Sequence, residues 1–195
     1  MSSLANPASM ISSNDFRNGV TILIDGNLWT VIEFLHVKPG KGSAFVRTRL
    51  KNVKTGATVE RTFRAGEKLE RAVVDNREMQ MLYNDAEGYH FMDAESYETF
   101  TIQRELIGDP ADFLKDGTKV TVQIHDGVPI GCELPAHIEL LVEETDPGFK
   151  GDTATGATKP AKLETGASIQ VPLFVNPNDR IRIDTRDRRY LGRAN

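Results

Sequence analysis

The stretch SAFVRTRLKNV, residues 43–53, alternates in polarity. Phe45, Arg47 and Arg49 fall on one side of an extended chain, and Val46, Thr48 and Leu50 on the other. Period-two alternation is the pattern of a strand with one buried face. Upstream, TILIDGNLWTVIEFLHV (21–37) sets apolar β-formers either side of Asp25-Gly26, a pair that favours a two-residue hairpin turn. GATVERTF (56–63) follows as a further strand. Comparable short runs predict strands at 80–84, 89–92, 98–103, 119–124, 128–133, 137–143, 167–174 and 180–184. Asn84-Asp85, Asp116-Gly117 and Asp126-Gly127 read as turns between them.

Only DPADFLKDG reads as a helix, with Asp109 as N-cap, Pro110 in the first position and Gly117 at the end. Short strands at close spacing with one brief helix predict an all-β protein built of small barrels. No strict internal repeat or low-complexity stretch interrupts this pattern.

Charge divides the chain further. Residues 1–72 hold 11 basic and 6 acidic side chains, residues 73–137 hold 4 and 13, and residues 138–195 hold 9 and 9. Basic, acidic and mixed blocks of about 60 residues match three minimal domains. The predicted division is a flexible tail at 1–9, then domains at 10–72, 73–137 and 138–195. A polyanion would be drawn to the first block and repelled by the second. A lone cysteine, Cys132, excludes an intramolecular disulfide and fits a reducing compartment such as the cytosol. The first residues lack the pattern of a secretory signal, and no apolar run reaches membrane-spanning length.

Candidate chemistry centres on HVKPGKGSAF (36–45). Gly40 and Gly42 flank Lys41 at a hairpin tip, and neither offers a side chain for the lysine to lean on. Pro39 stiffens the approach and Lys38 adds a second cation. From Phe34 to Val59 there are six cations (Lys38, Lys41, Arg47, Arg49, Lys51, Lys54) and no acidic residue. Arg47, Arg49 and Lys51 thus form a candidate basic face for a nucleic-acid backbone. A solvated glycine-rich hairpin is the plainer alternative on these residues alone. A phosphate-binding P-loop is excluded: Leu35 and Gly42 stand where that motif needs Gly and Ser or Thr, and a strand follows instead of a helix.

His36, His90, His125 and His137 have no metal-ligand spacing, so no metal or cofactor is expected. No nucleophile–base arrangement stands out either, and the chain does not read as an enzyme. In the third block, TDPGFKGDTATGATKP (145–160) reads as a long loop whose small side chains admit phosphates or bases to the backbone. The ending DRIRIDTRDRRYLGRAN sets six arginines around Tyr190, a composition for phosphate contacts and stacking, or for a charged last hairpin.

Several of these stretches, in order, resemble the bacterial elongation factor P family: SNDFRNG (13–19), VKPGKGSAF (37–45), LYNDAEGYHFMD (82–93), DPGFKGDTATGATKPAKLETGASIQVPLFV (146–175) and IDTRDRRYLGR (183–193). The resemblance implies a KOW-like, SH3-like first domain and two OB domains in an L-shaped arrangement. It implies a cytoplasmic, monomeric translation elongation factor that binds the 70S ribosome between the peptidyl-tRNA and exit sites and relieves stalling at consecutive prolines. Lys41 maps onto the tip residue that approaches the CCA end of the prolyl peptidyl-tRNA. That position is often extended after translation by a lysine-modifying enzyme; lysylation, another adduct or no modification all fit PGKGSA. Gly151, Asp152 and Thr153 resemble the element that meets messenger RNA in the exit site. Tyr190 and Arg193 resemble a C-terminal pair that contacts tRNA and ribosome. A paralogous factor of the same fold fits the lysine tip and GDT loop less well. A general single-strand binder fits the acidic middle block poorly.

Overall fold

The computed structural model describes residues 9–148 and 156–194. Three sheets carry it. The first contains β1 (Ser9–Ser12), β2 (Thr21–Ile24), β3 (Asn27–Val37), β4 (Phe45–Asn52), β5 (Thr58–Arg64) and β6 (Lys68–Ala72), in the order β1-β6-β2-β3-β4-β5. Asp25 and Gly26 take φ of 50° and 76°, the left-handed pair that a tight β2–β3 hairpin requires. Along β4 the expected alternation is met: Val46, Thr48, Leu50 and Asn52 are buried, while Arg47, Arg49 and Lys51 face out.

Of the inward residues, Val46 and Leu50 join Phe16, Ile22, Ile24, Val31 and Phe63 in one apolar cluster. Phe16 and Phe63 meet edge to face at 5.4 Å. Each such side chain contributes about 1.5–3 kcal/mol through burial. The polar members are satisfied locally. Thr48 Oγ1 donates to the Arg61 carbonyl at 2.6 Å, and Asn52 Oδ1 accepts from the amides of Lys54 and Thr55.

The second sheet follows the order β11-β10-β7-β8-β9, with β7 at Asp75–Asp85, β8 at Gly88–Asp93, β9 at Thr99–Ile102, β10 at Lys119–His125 and β11 at Val128–Glu133. Cys132 lies near the end of β11, where burial pushes its thiol pKa up to about 12. The third sheet, β14-β13-β12-β15-β16, uses β12 (His137–Thr145), β13 (Thr158–Leu163), β14 (Ser168–Pro172), β15 (Arg180–Asp184) and β16 (Arg189–Arg193).

The chain forms two compact units. One holds the described residues through Asn76 together with Gln123–Gly131; the other holds Arg77–Val122 and the described residues from Cys132. All twelve strand expectations have a counterpart, and β1, β6, β13 and β16 add to them. The stretch expected as a loop to residue 160 gives way to β13 at Thr158.

The expected helix is corrected. Asp109–Phe113 forms a single 3-10 turn, preceded by α1 at Arg104–Ile107. Asp109 is not the N-cap: Gly108 occupies that position at φ 80°, and no side chain caps the turn. Ala111, Phe113 and Leu114 are all buried, and three apolar anchors so close together favour a tight turn over helix continuation to Gly117. Asp112 instead bonds Arg104 at 2.7 Å and Arg188 at 3.3 Å, with Arg188 lying 4.8 Å over Phe113. Within this unit, Lys115 and Glu164 form a further ion pair at 3.1 Å.

Candidate functional site

Residues 38–44 connect β3 to β4, and Val37↔Phe45 is the last pair before the loop. The Ala65 amide donates to the Ala44 carbonyl at 3.1 Å and ties down one root. Beyond that root the loop leans on little. Gly42 adopts φ 105°, a conformation that side chains rarely tolerate, and a Cβ built on Gly40 would meet no atom within 4 Å. Pro39 approaches from beneath, its Cγ being 3.9 Å from where a Gly42 Cβ would stand. Lys38, Gly40, Lys41 and Gly42 are exposed. Among the described residues Lys41 has no hydrogen bond or ion pair, so its ammonium is free to engage an external group.

On β4 the three expected cations lie on one outer face but in different settings. Lys51 stands between Thr30 and Thr58, and Arg47 between Leu35 and Thr62. Arg49 stands between Glu33 and Glu60, with its guanidinium 3.8 Å from Glu33. The run from Phe34 to Val59 lacks acids, yet pairing brings in acids from just beyond both ends. Exposed Leu35 and the side chains around Arg47 and Arg49 line a shallow pocket of about 280 Å³ on this face.

Gly151, Asp152 and Thr153 lie outside the described residues. The chain entering that region is clamped. Thr145 Oγ1 donates to the Pro160 carbonyl at 2.9 Å, and Lys159, only 6% exposed, donates its ammonium to the Asp146 carbonyl. A Cβ on Gly148 would fall 2.4 Å from the Leu173 carbonyl oxygen, so only glycine permits this approach.

Tyr190 and Arg193 are brought together by a bulge. They are three residues apart, a spacing that puts strand neighbours on opposite faces. In β16, however, Tyr190 pairs with Ile183 and Gly192 with Arg182, leaving Leu191 as an extra residue. Tyr190 and Arg193 therefore share one face, opposite Ile183 and Ile181. Both reach Phe174, which sequence reasoning did not single out. Tyr190 meets its ring edge to face at 6.4 Å, and the Arg193 guanidinium lies 4.9 Å from the ring centroid. The same guanidinium donates to the Phe174 carbonyl at 2.9 Å and pairs with Asp179 at 3.3 Å. Phe174 precedes the arginine-rich ending, and nothing local in the sequence set it apart from the apolar run around it.

The histidines show no ligand set, and among the described residues no three His, Cys, Asp or Glu side chains could hold a metal ion. His90 has both nitrogens engaged, by Asp85 at 2.9 Å and Thr101 at 3.0 Å, while Tyr83 stacks on its ring at 4.4 Å. That hydrogen bond from His90 is the main reason the Asp85 carboxyl lies below the usual range.

Comparison with known proteins accounts for nearly all of the chain. Three family models match in succession: the elongation factor P KOW-like domain at 12–69, the elongation factor P OB domain at 74–132, and the elongation factor P C-terminal domain at 138–193. Elongation factor P of Moorella thermoacetica is 60% identical over 185 residues, covering 95% of this chain and all of that protein. The chain belongs to the elongation factor P family. The Gloeobacter violaceus member is likewise 60% identical, over 187 residues. Among solved structures, eukaryotic translation initiation factor 5A from Methanococcus jannaschii matches with a TM-score of 0.53 at 21% identity, covering 69% of this chain and 98% of its own. That likeness is one of fold. With the three matched domains, the all-β reading of a KOW-like domain followed by OB domains stands.

Proposed function

We propose that this chain is a translation elongation factor that binds the 70S ribosome between the peptidyl-tRNA and exit sites and stimulates peptide-bond formation at consecutive prolines. The observation that carries this reading is Lys41: an unpartnered ammonium at a glycine-flanked tip, in a member of the elongation factor P family. Proline is a poor attacking amine and distorts the nascent chain, so transfer is slow unless the reacting ends are well aligned. A cation that holds the CCA end of prolyl peptidyl-tRNA in reactive geometry removes part of the entropic barrier. Lys41 then acts through charge and position and need not exchange a proton. The ribosome makes and breaks the bonds, so the factor itself is not an enzyme.

Arg47 and Lys51 supply phosphate contacts behind the tip, and Arg49 does so less because of its carboxylate neighbours. Gly151, Asp152 and Thr153 meet messenger RNA in the exit site, and Tyr190 and Arg193 belong to the contact with tRNA and ribosome. A lysine-modifying enzyme that lengthens Lys41 would extend its reach and add donors. The test is reconstituted translation of a reporter with three consecutive prolines. Factor purified from its host should relieve the stall and its Lys41→Ala form should not. Failure of both, with a proline-free control read normally, removes the assignment.

A further inference from the structure

Phe174 occupies an unusual position for a large apolar residue. The Val175 amide closes a turn on the Pro172 carbonyl at 3.1 Å, which sets Leu173 and Phe174 at the corner. Such corners favour Gly, Pro, Asn, Asp and Ser. Val175 is fully buried, yet Phe174 is 55% exposed and is the one exposed phenylalanine among the described residues.

The ring is nonetheless held in place. Tyr190 braces its edge, and Arg193 covers it with a guanidinium that is itself fixed by Asp179 and the Phe174 carbonyl. Asp179 also accepts from the Asn176 amide at 2.9 Å, which stiffens the segment leading away. Core packing does not explain an aromatic that two neighbours support and solvent still reaches. A rigid open ring with a cationic rim binds flat, electron-rich groups at low ordering cost.

We propose that Phe174 is a stacking platform for one unpaired nucleobase of ribosomal or transfer RNA. Tyr190 and Arg193 act as its supports, and the Leu191 bulge brings both to the same ring. The inference rests on the reading that this end of the molecule meets RNA. Stacking tolerates any base, so the platform adds affinity without sequence preference.

The test uses the full-length factor and ribosomes carrying a peptidyl-site tRNA. Phe174→Leu keeps an apolar side chain but removes the aromatic face. It should weaken binding about tenfold, leave the melting temperature nearly unchanged, and be rescued by Phe174→Tyr. A photoreactive phenylalanine analogue at position 174 should give a nuclease-sensitive crosslink. Wild-type affinity for Phe174→Leu, or a crosslink to protein alone, overturns the platform. Tyr190→Ala, measured alongside, separates the two levels. If it weakens binding while Phe174→Leu does not, only the stacking assignment falls; if neither does, the contact proposed for this end falls with it.

Discussion

A side chain that touches nothing in its own protein can be removed at almost no cost to the fold. Lys41→Ala should therefore shift the melting temperature by no more than about 1 °C, while stall relief is lost. A large drop in melting temperature would refute the view of Lys41 as a free arm. Arg47 and Arg49 allow a finer comparison, because both are exposed on β4 but only Arg49 lies between carboxylates. Arg47→Ala should weaken ribosome binding by about threefold or more and Arg49→Ala by less, since the Arg49 guanidinium is already engaged by Glu33 and is less available to a phosphate. Equal effects in a binding titration would contradict this. The alternation of β4 was legible in the sequence because a strand's period is local. Glu33 and Glu60 beside Arg49 were not, because register brings them in from adjacent strands.

Turns and bulges show the same division between local and distant causes. Asp25-Gly26 announced its hairpin through its own backbone preferences. Asp109 misled as a cap because burial of Ala111, Phe113 and Leu114 outweighed the local signal. The face shared by Tyr190 and Arg193 was illegible for another reason: nothing in RYLGR marks Leu191 as the residue that leaves the ladder. Glycines at the strand ends yield a direct prediction. Gly88 has φ 135°, and a Cβ there would stand 2.8 Å from the Ile102 carbonyl oxygen, which belongs to the backbone and cannot yield. Gly88→Ala should cost roughly 2–3 kcal/mol. At Gly131 the close neighbour is the amide end of Gln123, at 2.3 Å, and a side-chain rotation relieves it. Gly131→Ala should cost about 1 kcal/mol or less. Urea unfolding of both variants measures the contrast, and equal losses would show that the two contacts are equally stiff.

Across the molecule, charge sets two responses. The first is to salt. Binding through the basic first domain should weaken about tenfold or more between 50 and 200 mM salt, and Arg47→Ala combined with Lys51→Ala should flatten that dependence. Salt-independent affinity would remove the electrostatic contribution. The second response is to acid. Asp85 is held below the ordinary carboxyl range chiefly by His90, Asp93 by the Ser96 and Glu95 amides, and Asp184 by the Asp187 amide. A carboxyl with a lowered folded pKa contributes stability that is complete above its unfolded value and lost as pH falls through the folded one. The melting temperature should thus hold steady from neutral pH down to about 5 and fall below about 4. Asn at positions 85, 93 and 184 together should lower the plateau and shrink that acid-side fall.

The quiet thiol of Cys132 has a practical consequence. Burial pushes its pKa up to about 12, so the thiol is almost wholly protonated, and unreactive, at neutral pH. A cysteine introduced at the solvent-exposed Lys41 tip would be far more nucleophilic. A maleimide dye or crosslinker could then be attached there in the otherwise native sequence, with Cys132 left in place as a silent bystander.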